Sequence, residues 1–594
     1  MRSRIRQIRA ENRGRFQTQK NIMLVLFPVF LALATQFNQS LSLAKLGEYL
    51  FGKPLIFLFD TLVVTAIFVV LLAIARQAWI AMAGTGLLFY TLSLVEFYKY
   101  DVSGSHFTLA DLVMTTNMSD VAKFAKLDIH PGVVLSVLFL LAWLLIAFFL
   151  DIRVGWERYR SILTVSVSAL LLLGIFFPST ISERIMEAFT IDTEPAENVF
   201  KVNEKYEKNS LISFLVDSAS EQIDRSVETA TVPQDYSRQT VASLLSAGFP
   251  ADSAAGFQAP NVVVVMNESF ADMRIFEDLS IAQDTYANFD ELRREGYAGT
   301  AIVPTFGGYT VKTEFELMFG LPVRSLGNPV IPHRLLSDRP HETFASYYRS
   351  LGYSTTYIHP FSRSFYSRDE IYSTYGFDKL YFDDNLTVGA ENYRHYIDDR
   401  IVYEQIEQEL KTSERPAFIF TTTMQNHQPY FDENSPEPEI SYYLQNISNS
   451  DKQLGAFIDF LREFDEPTVV LFIGDHFPFF TPQSNTYEDL GITGDNCAAL
   501  YEQSYLIWSN ADLLDRSALP QGKTSAFYLP HILADAIGAP KTAVTKSILA
   551  EMQRRPVYSP GYGDTETADR MLDLLTYDRV LGEGYSLTQS LKTN

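Results

Sequence analysis

Apolar residues crowd into the first third of the chain. Before residue 180 they form five long runs: Asn21–Phe37, Pro54–Ala75, Ala78–Phe97, Gly132–Leu150 and Ser161–Pro178. A helix needs about 20 apolar residues to cross a hydrocarbon core of roughly 30 Å. The pattern therefore predicts a multi-pass α-helical membrane domain of five spans. The first run is short and contains Pro28, so its ends are loosely set. Asp60 lies inside the second run and Glu96 near the end of the third. Acids within spans are costly and often functional. Glu96 is expected at the membrane interface, and Asp60 against a neighbouring helix. Phe107–Val121 has the spacing of an amphipathic helix, lying on the membrane surface or packed on the spans.

Beyond residue 178 the pattern changes. Residues 179–259 contain no long apolar run. Ser218–Pro260 is rich in small and polar residues and reads as a tether, with one helix near Thr240–Ala247. Ser218-Ala219-Ser220 in it is a small-residue run of the kind a linker carries. From residue 261 short apolar strands alternate with helical stretches. NVVVVMNES (261–269), Tyr353–His359, Ala417–Met424 and TVVLFIGDH (468–476) read as strands; Tyr286–Glu295 and Asp451–Phe464 read as helices. This alternation indicates an α/β sandwich with a mainly parallel sheet. The expected organisation is a basic tail (1–20), a membrane domain (21–178), a linker (179–259) and a catalytic domain with a C-terminal subdomain (260–594).

Charge sets the orientation. The net charge is −23, yet residues 1–20 hold seven basic side chains against Glu11 alone, leaving −29 on the remainder. Arg76 follows the second run, and Arg153, Arg158 and Arg160 lie between the fourth and fifth. Five spans place all these basic segments on one side, which the positive-inside tendency makes cytoplasmic. The large C-terminal region is then extracellular. An acidic body argues against nucleic acid as a partner. Cys497 is the single cysteine, so neither an intramolecular disulfide nor a cysteine-based zinc cage can form.

Two strand ends carry candidate metal ligands. Asp475 and His476 close one strand and Glu268 closes another. A buried strand delivers its last residues to the sheet edge where α/β folds bind ligands. Carboxylate oxygen and imidazole nitrogen can share one ion, although an Asp-His pair can equally end a strand in solvent. Between them, Gly307-Gly308-Tyr309-Thr310 runs into a segment with helical spacing of Phe315, Met318 and Phe319. Thr310 suits an N-cap. It also suits a nucleophile, given a metal or base to activate its hydroxyl.

This set resembles the lipoteichoic acid synthase family of membrane phosphoglycerol transferases, within the alkaline phosphatase/sulfatase superfamily. The resemblance covers nearly the whole chain: five spans, linker and catalytic domain. The family holds one metal with a glutamate after its first strand, a threonine in G-x-T-x-x-[ST]-E-F and a D-H pair. These fall on Glu268, on Thr310 in GYTVKTEF and on Asp475-His476 in GDH. The resemblance implies that Thr310 is both nucleophile and ligand, and that the ion is Mn²⁺; the O/N donor set also suits Mg²⁺ or Zn²⁺. HPFSRSFYSRDEIY is similar to the family's substrate segment H-G-x-x-x-x-F-W-N-R-D, placing His359, Tyr366 and Arg368 on its histidine, tryptophan and arginine. His427, in TTTMQNHQPY, falls on the histidine of T-x-x-N-H-x-P. Arg368 can meet phosphate through its planar fork, and His427 can bind a phosphoryl oxygen or act as acid or base. Taken singly, His359 and His427 also suit structural positions. TYDRVLGEGY (576–585) resembles the family's C-terminal ending and reads as structural.

The resemblance implies a phosphoglycerol transferase of the bacterial cell membrane. Phosphatidylglycerol would be the donor, and a polyglycerolphosphate or glycolipid the acceptor, as in lipoteichoic acid synthesis. Pro360 and Phe361 stand where the family has glycine and a polar residue, and Tyr366 replaces a tryptophan, so the head-group pocket departs from the family. A phosphoethanolamine transferase shares the architecture but usually carries several disulfides. A non-enzymatic lipid-binding sensor is the remaining alternative.

Overall fold

The computed structural model describes residues 13–587 apart from 105, 109–129, 178–179, 195, 197, 220–231, 247–249, 328–330, 337–339, 432–436 and 565–566. From residue 109 on, the amphipathic segment expected at 107–121 lies outside the described residues, as does Ser220. The chain forms two compact units. One holds the membrane helices and the segment up to residue 219, and the other holds residues 232 onward.

Five helices of the first unit are long and apolar enough to cross a membrane: Thr18–Ser40, Pro54–Ala75, Ala78–Asp101, Pro131–Leu150 and Arg158–Phe176. The first and third run beyond the apolar stretches read from the sequence, because a helix continues through polar ends that its neighbours cover. Pro28 is accommodated inside the first helix. Phe27, Leu31, Phe59, Val64, Phe68 and Met82 fill the core between the helices. Further helices at Thr180–Ala188, Val199–Lys208 and 211–219 belong to the same unit. Asp60 does face neighbours: it accepts from Tyr49 Oη at 2.5 Å and from Ser210 Oγ at 2.5 Å. Glu96 is buried by its neighbours near the end of the third span, with its carboxylate held by His106 Nδ1 and the Phe107 N–H. Lys205 and Asp217 form a second buried ion pair at 2.5 Å.

The second unit is built on an eight-stranded sheet. Its strands are β1 (Asn261–Asn267), β2 (Tyr297–Ile302), β3 (Ser354–Ile358), β4 (Lys379–Tyr381), β7 (Ala417–Thr422), β8 (Thr468–Gly474), β9 (Glu502–Ser509) and β10 (Thr524–Ser525). β5 (Asn392–Tyr393) and β6 (Tyr396–Ile397) form a separate hairpin. The sheet order is β10-β2-β9-β8-β1-β7-β3-β4. The four central strands β8, β1, β7 and β3 are parallel. The sheet is mainly parallel, as expected, with β9 alone antiparallel to both of its neighbours. Every residue of β1, β7 and β8 is buried, which their unbroken apolar runs require. Helices α1 (Ala287–Glu295), α2 (Thr310–Phe319), α3 (Phe344–Ser350), α4 (Asp399–Thr412) and α5 (Glu439–Glu463) connect and cover the strands. Residues 232–246, read as part of a tether, dock on this unit. Val241 and Leu245 enter its core, and Tyr236 Oη donates to Asp578 Oδ1 at 2.6 Å.

Candidate metal and catalytic site

The parallel register brings the chemistry together. Met266 pairs with Ile473 and Thr422, and Ile358 pairs with Thr421. The residues that follow β1, β8, β7 and β3 therefore emerge along one edge of the sheet. Glu268 follows β1 directly. Ser269 then turns the chain with a φ of 49°. Asp475 and His476 follow β8. Glu268, Asp475 and His476 are all buried, and one ligand atom from each lies within 4.8 Å of the others.

The donor set fits a divalent ion. Asp475 Oδ1 accepts from the Ser269 N–H at 2.7 Å and the His476 N–H at 2.9 Å, which fixes the carboxylate. Its Oδ2 is buried without a hydrogen-bond partner and lies 3.1 Å from His476 Nε2. A buried carboxylate oxygen left in that state calls for a cation. His476 Nδ1 lies 2.9 Å from the Phe477 carbonyl, which can only accept. That bond leaves Nε2 as the lone-pair donor, the arrangement metal-binding histidines use. Glu268 Oε1 lies 3.8 Å from the same Nε2. Burial, then the neighbouring Asp475, pushes the Glu268 carboxyl well up, and burial also raises Asp475. A bound cation would relieve both.

Thr310 opens α2. The N-cap position belongs to Tyr309, in the left-handed region at φ 59°, and it supplies no side-chain cap. Gly307 and Gly308 precede it at φ 68° and 149°, a turn that glycine permits. Thr310 is thereby spared the capping role. Its Oγ1 lies 3.3 Å from Glu268 Oε2 and 3.5 Å from His476 Nε2. One turn on, Thr313 Oγ1 donates to the Asp475 carbonyl at 2.9 Å and ties α2 to the end of β8. A helix N-terminus favours bound phosphate.

A polar wall stands beside this centre. Glu314 is completely buried. Its Oε1 accepts from Thr422 Oγ1 at 2.7 Å, Tyr357 Oη at 3.1 Å, and Arg368 Nη2 and Nε at 3.3 and 3.4 Å. Burial is the largest influence and opposes its charge, but Arg368, His333, His359 and the Thr422 hydroxyl together hold the carboxyl down at about 2. Arg368 is itself 1% exposed, and its Nη1 donates to the Phe365 carbonyl at 3.2 Å. The fork that the sequence assigned to phosphate is thus directed at Glu314. Tyr366, partly exposed, lies 5.4 Å from the Arg368 guanidinium, measured to the ring centre. His359 Nδ1 donates to the Thr422 carbonyl at 3.0 Å, and its Nε2 is buried without a partner. Burial, then Arg368, lowers its pKa to about 3. His427 donates from Nδ1 to the Gln428 carbonyl at 2.6 Å; burial lowers it to about 4, so it is neutral with Nε2 as acceptor.

Two features escaped the sequence reading. His333 lies in none of the motifs read from the sequence. It is 4% exposed, with Nε2 4.0 Å from Glu314 and no hydrogen bond at either ring nitrogen. The other is an amide–carboxylate network. Asn267 Nδ2 donates to Asp399 Oδ2 at 2.9 Å, and Asn426 Nδ2 donates to Asn267 Oδ1 at 2.9 Å. It joins the residue before Glu268 to the residue before His427. Its only sequence signal is polar residues directly after buried strands.

Residues 260–539 match the family model described as Sulfatase. A Rhizobium meliloti (strain 1021) protein named for cyclic beta-1,2-glucan modification is 29% identical over 272 residues, 42% of this chain and 42% of that protein. The lipoteichoic acid synthase of Staphylococcus saprophyticus subsp. saprophyticus is 22% identical over 253 residues, 39% of this chain and 38% of that protein. The chain thus spans less than half the length of these curated relatives. The solved integral membrane phosphoethanolamine transferase A of Neisseria meningitidis superposes with a TM-score of 0.51 at 13% identity, over 87% of this chain and 95% of that one. That likeness shows a shared fold.

Proposed function

We propose that this chain, whose residues 260–539 match the Sulfatase family model, is a membrane-bound phosphoglycerol transferase of the alkaline phosphatase/sulfatase superfamily. The observation that carries the reading is the Thr310 hydroxyl. It sits at a helix N-terminus within 3.5 Å of both Glu268 and His476. Glu268, Asp475, His476 and the Thr310 hydroxyl would hold one divalent ion, with Mn²⁺ as the assignment. When bound, that ion supplies Lewis acidity that acidifies the hydroxyl and offsets phosphoryl charge.

Thr310 Oγ1 forms a bond to the phosphorus of phosphatidylglycerol as the bond to the diacylglycerol oxygen breaks. The threonine proton leaves along the existing hydrogen bond to Glu268 Oε2, and the departing oxygen takes up a proton from water. The phosphoglycerol stays on Thr310. An acceptor hydroxyl then attacks the phosphorus, passes its proton to His427 Nε2, and Thr310 regains its own. Arg368, held by Glu314, and the neutral His359 shape the head-group pocket beside Tyr366, and of the two only Arg368 adds positive potential toward the phosphoryl oxygens. The resemblance to lipoteichoic acid synthases suggests a polyglycerolphosphate or glycolipid acceptor; the name of the rhizobial relative suggests a glucan.

The test uses the full-length protein in proteoliposomes with Mn²⁺. Thr310→Ala should lower diacylglycerol release from phosphatidylglycerol by at least about 10³-fold, as loss of a covalent nucleophile does. Near-native release in that variant rules out the nucleophile. Faster release from phosphatidylethanolamine than from phosphatidylglycerol would move the head group to phosphoethanolamine, the function named for the neisserial fold neighbour.

A further inference from the structure

We infer that His333 binds a hydroxyl of the transferred head group and so selects a glycerol over an ammonium head group. The inference rests on the transferase reading above and names a residue that sets its donor specificity. His333 lies in the short turn Pro332–Arg334. It is buried, and neither of its ring nitrogens has a hydrogen-bond partner. A buried polar atom left unpaired is costly, so such atoms mark the place of a ligand or a bound water. Two more belong to the same surroundings. His359, which like His333 acts on the Glu314 carboxyl, leaves Nε2 buried without a partner. The Tyr375 hydroxyl is also unpartnered, and its ring centre lies 6.5 Å from that of His333. Helix α2 sets the distance from this cluster to the nucleophile. Thr310 and Glu314 are four residues apart on it, so they share a face, with Cβ atoms about 5–6 Å apart. His333 Nε2 lies 4.0 Å from Glu314 Oε2. A three-carbon arm on a phosphorus at Thr310 spans about one helical turn, which brings its end to this cluster. Tyr366 carries the cluster to the surface. It is partly exposed, 6.4 Å from the His333 ring and 5.4 Å from the Arg368 guanidinium. Tyr366 and Ser367 both hold a left-handed φ, 58° and 54°, a costly conformation that gathers at ligand sites.

The chemistry of the cluster narrows the ligand. Burial lowers the pKa of His333 to about 3, so its ring is neutral, with one nitrogen donating and the other accepting. A hydroxyl suits either nitrogen, because it can accept or donate. An ammonium can only donate, and it brings a charge that faces the Arg368 guanidinium. Glu314 does not offset that charge, since its oxygens already receive Thr422, Tyr357, Tyr372 and Arg368. A glycerol head group carries two hydroxyls, which His333 and His359 Nε2 can share. An ethanolamine head group carries none.

The experiment compares donor lipids that differ by one hydroxyl. Phosphatidylglycerol is set against phosphatidylpropanediol, which lacks the terminal hydroxyl, and kcat/KM for diacylglycerol release is measured with the full-length protein in proteoliposomes with Mn²⁺. The native protein should prefer phosphatidylglycerol roughly tenfold or more, because the analogue leaves a buried polar group unpaired. His333→Phe should bring that preference to about twofold or less, and His333→Leu serves if the larger ring does not fold. His333→Gln, which keeps a donor and an acceptor, should restore most of it. A purely structural role would slow both lipids alike and leave the ratio unmoved. With phosphatidylethanolamine as a third donor, His333→Phe should likewise narrow the preference for phosphatidylglycerol. A native protein indifferent to the missing hydroxyl, or apolar variants that discriminate as the native protein does, overturns the inference and gives the unpaired nitrogens to bound water. If the native protein releases no diacylglycerol from any of these lipids, the transferase reading has failed instead. Titration of glycerol phosphate and propyl phosphate into the Mn²⁺-loaded native and His333→Phe proteins then decides the subsite alone. Tighter binding of glycerol phosphate to the native protein, lost in the variant, supports it; equal binding of the two ligands to the native protein, or none, refutes it.

Discussion

Glu314 shows what one buried charge demands of its surroundings. Its two oxygens receive Thr422, Tyr357, Tyr372 and Arg368, drawn from β7, β3 and the loop after β3. A buried ion pair adds little net stability, but removing one partner strands the other charge. Glu314→Gln keeps an acceptor for the hydroxyls and leaves Arg368 charged, 1% exposed and uncompensated. The expected loss is about 3–5 kcal/mol, read as a lower unfolding midpoint of the purified full-length protein. The double variant Glu314→Gln, Arg368→Met should recover most of that loss. A single variant as stable as the native protein would show that the pair does not carry the wall. Glu314 is visible in the sequence as the acid of GYTVKTEF, but its partners are not. His333, next to it in space, has no local signal, because its neighbourhood exists only once α2 and the loop after β3 are folded together.

At the scale of elements, much of the site was legible because each ligand follows an unbroken apolar strand. NVVVVMN and TVVLFIG declare themselves as buried strands, and parallel pairing makes their ends neighbours. Less legible were the elements whose pattern is mixed. β2 is only half buried and contains Gly299, and β9 begins with three polar residues, Glu502, Gln503 and Ser504. The antiparallel pairing of β9 was therefore missed. The first half of α5 was missed too, because EISYYLQNISNS carries many polar residues although Tyr442, Tyr443, Asn446 and Ile447 are buried. Gly474 marks where the close approach of elements is most demanding. A Cβ there would lie 2.1 Å from the Phe270 carbonyl oxygen. Gly474→Ala must push the end of β8 away from the turn after β1, and so carry Asp475 from Glu268. Saturating Mn²⁺ should raise the native midpoint, by about 2.7 kcal/mol of stabilisation at 100 times the dissociation constant. In Gly474→Ala that metal-dependent rise should vanish. An undiminished rise would mean that the ligands do not depend on this strand approach.

For the whole molecule the decisive quantity is which face of the membrane the catalytic domain occupies. Under the proposed transfer, both lipid donor and acceptor must reach that face. The argument is one of charge and parity. Six arginines precede the first span, Arg76 follows the second, and Arg153 lies between the fourth and fifth, with Arg158 and Arg160 in the first turn of the fifth. If all five candidate spans among the described residues cross, these segments share one side and the residues after the fifth span lie on the other. Asp60 and Glu96 do not disturb this count, since each accepts hydrogen bonds from neighbours within its own unit. Cys497 is buried, so a cysteine introduced at the surface can be labelled over a low background. Lys452, exposed on α5, reports the catalytic domain, and Gly155, exposed with open space for a side chain, reports the loop between the fourth and fifth spans. In intact cells a membrane-impermeant maleimide should label Lys452→Cys and leave Gly155→Cys untouched until the membrane is permeabilised. The reverse pattern would put Thr310 in the cytoplasm, where the inner leaflet would supply the lipid and a cytoplasmic glycan would have to accept its head group.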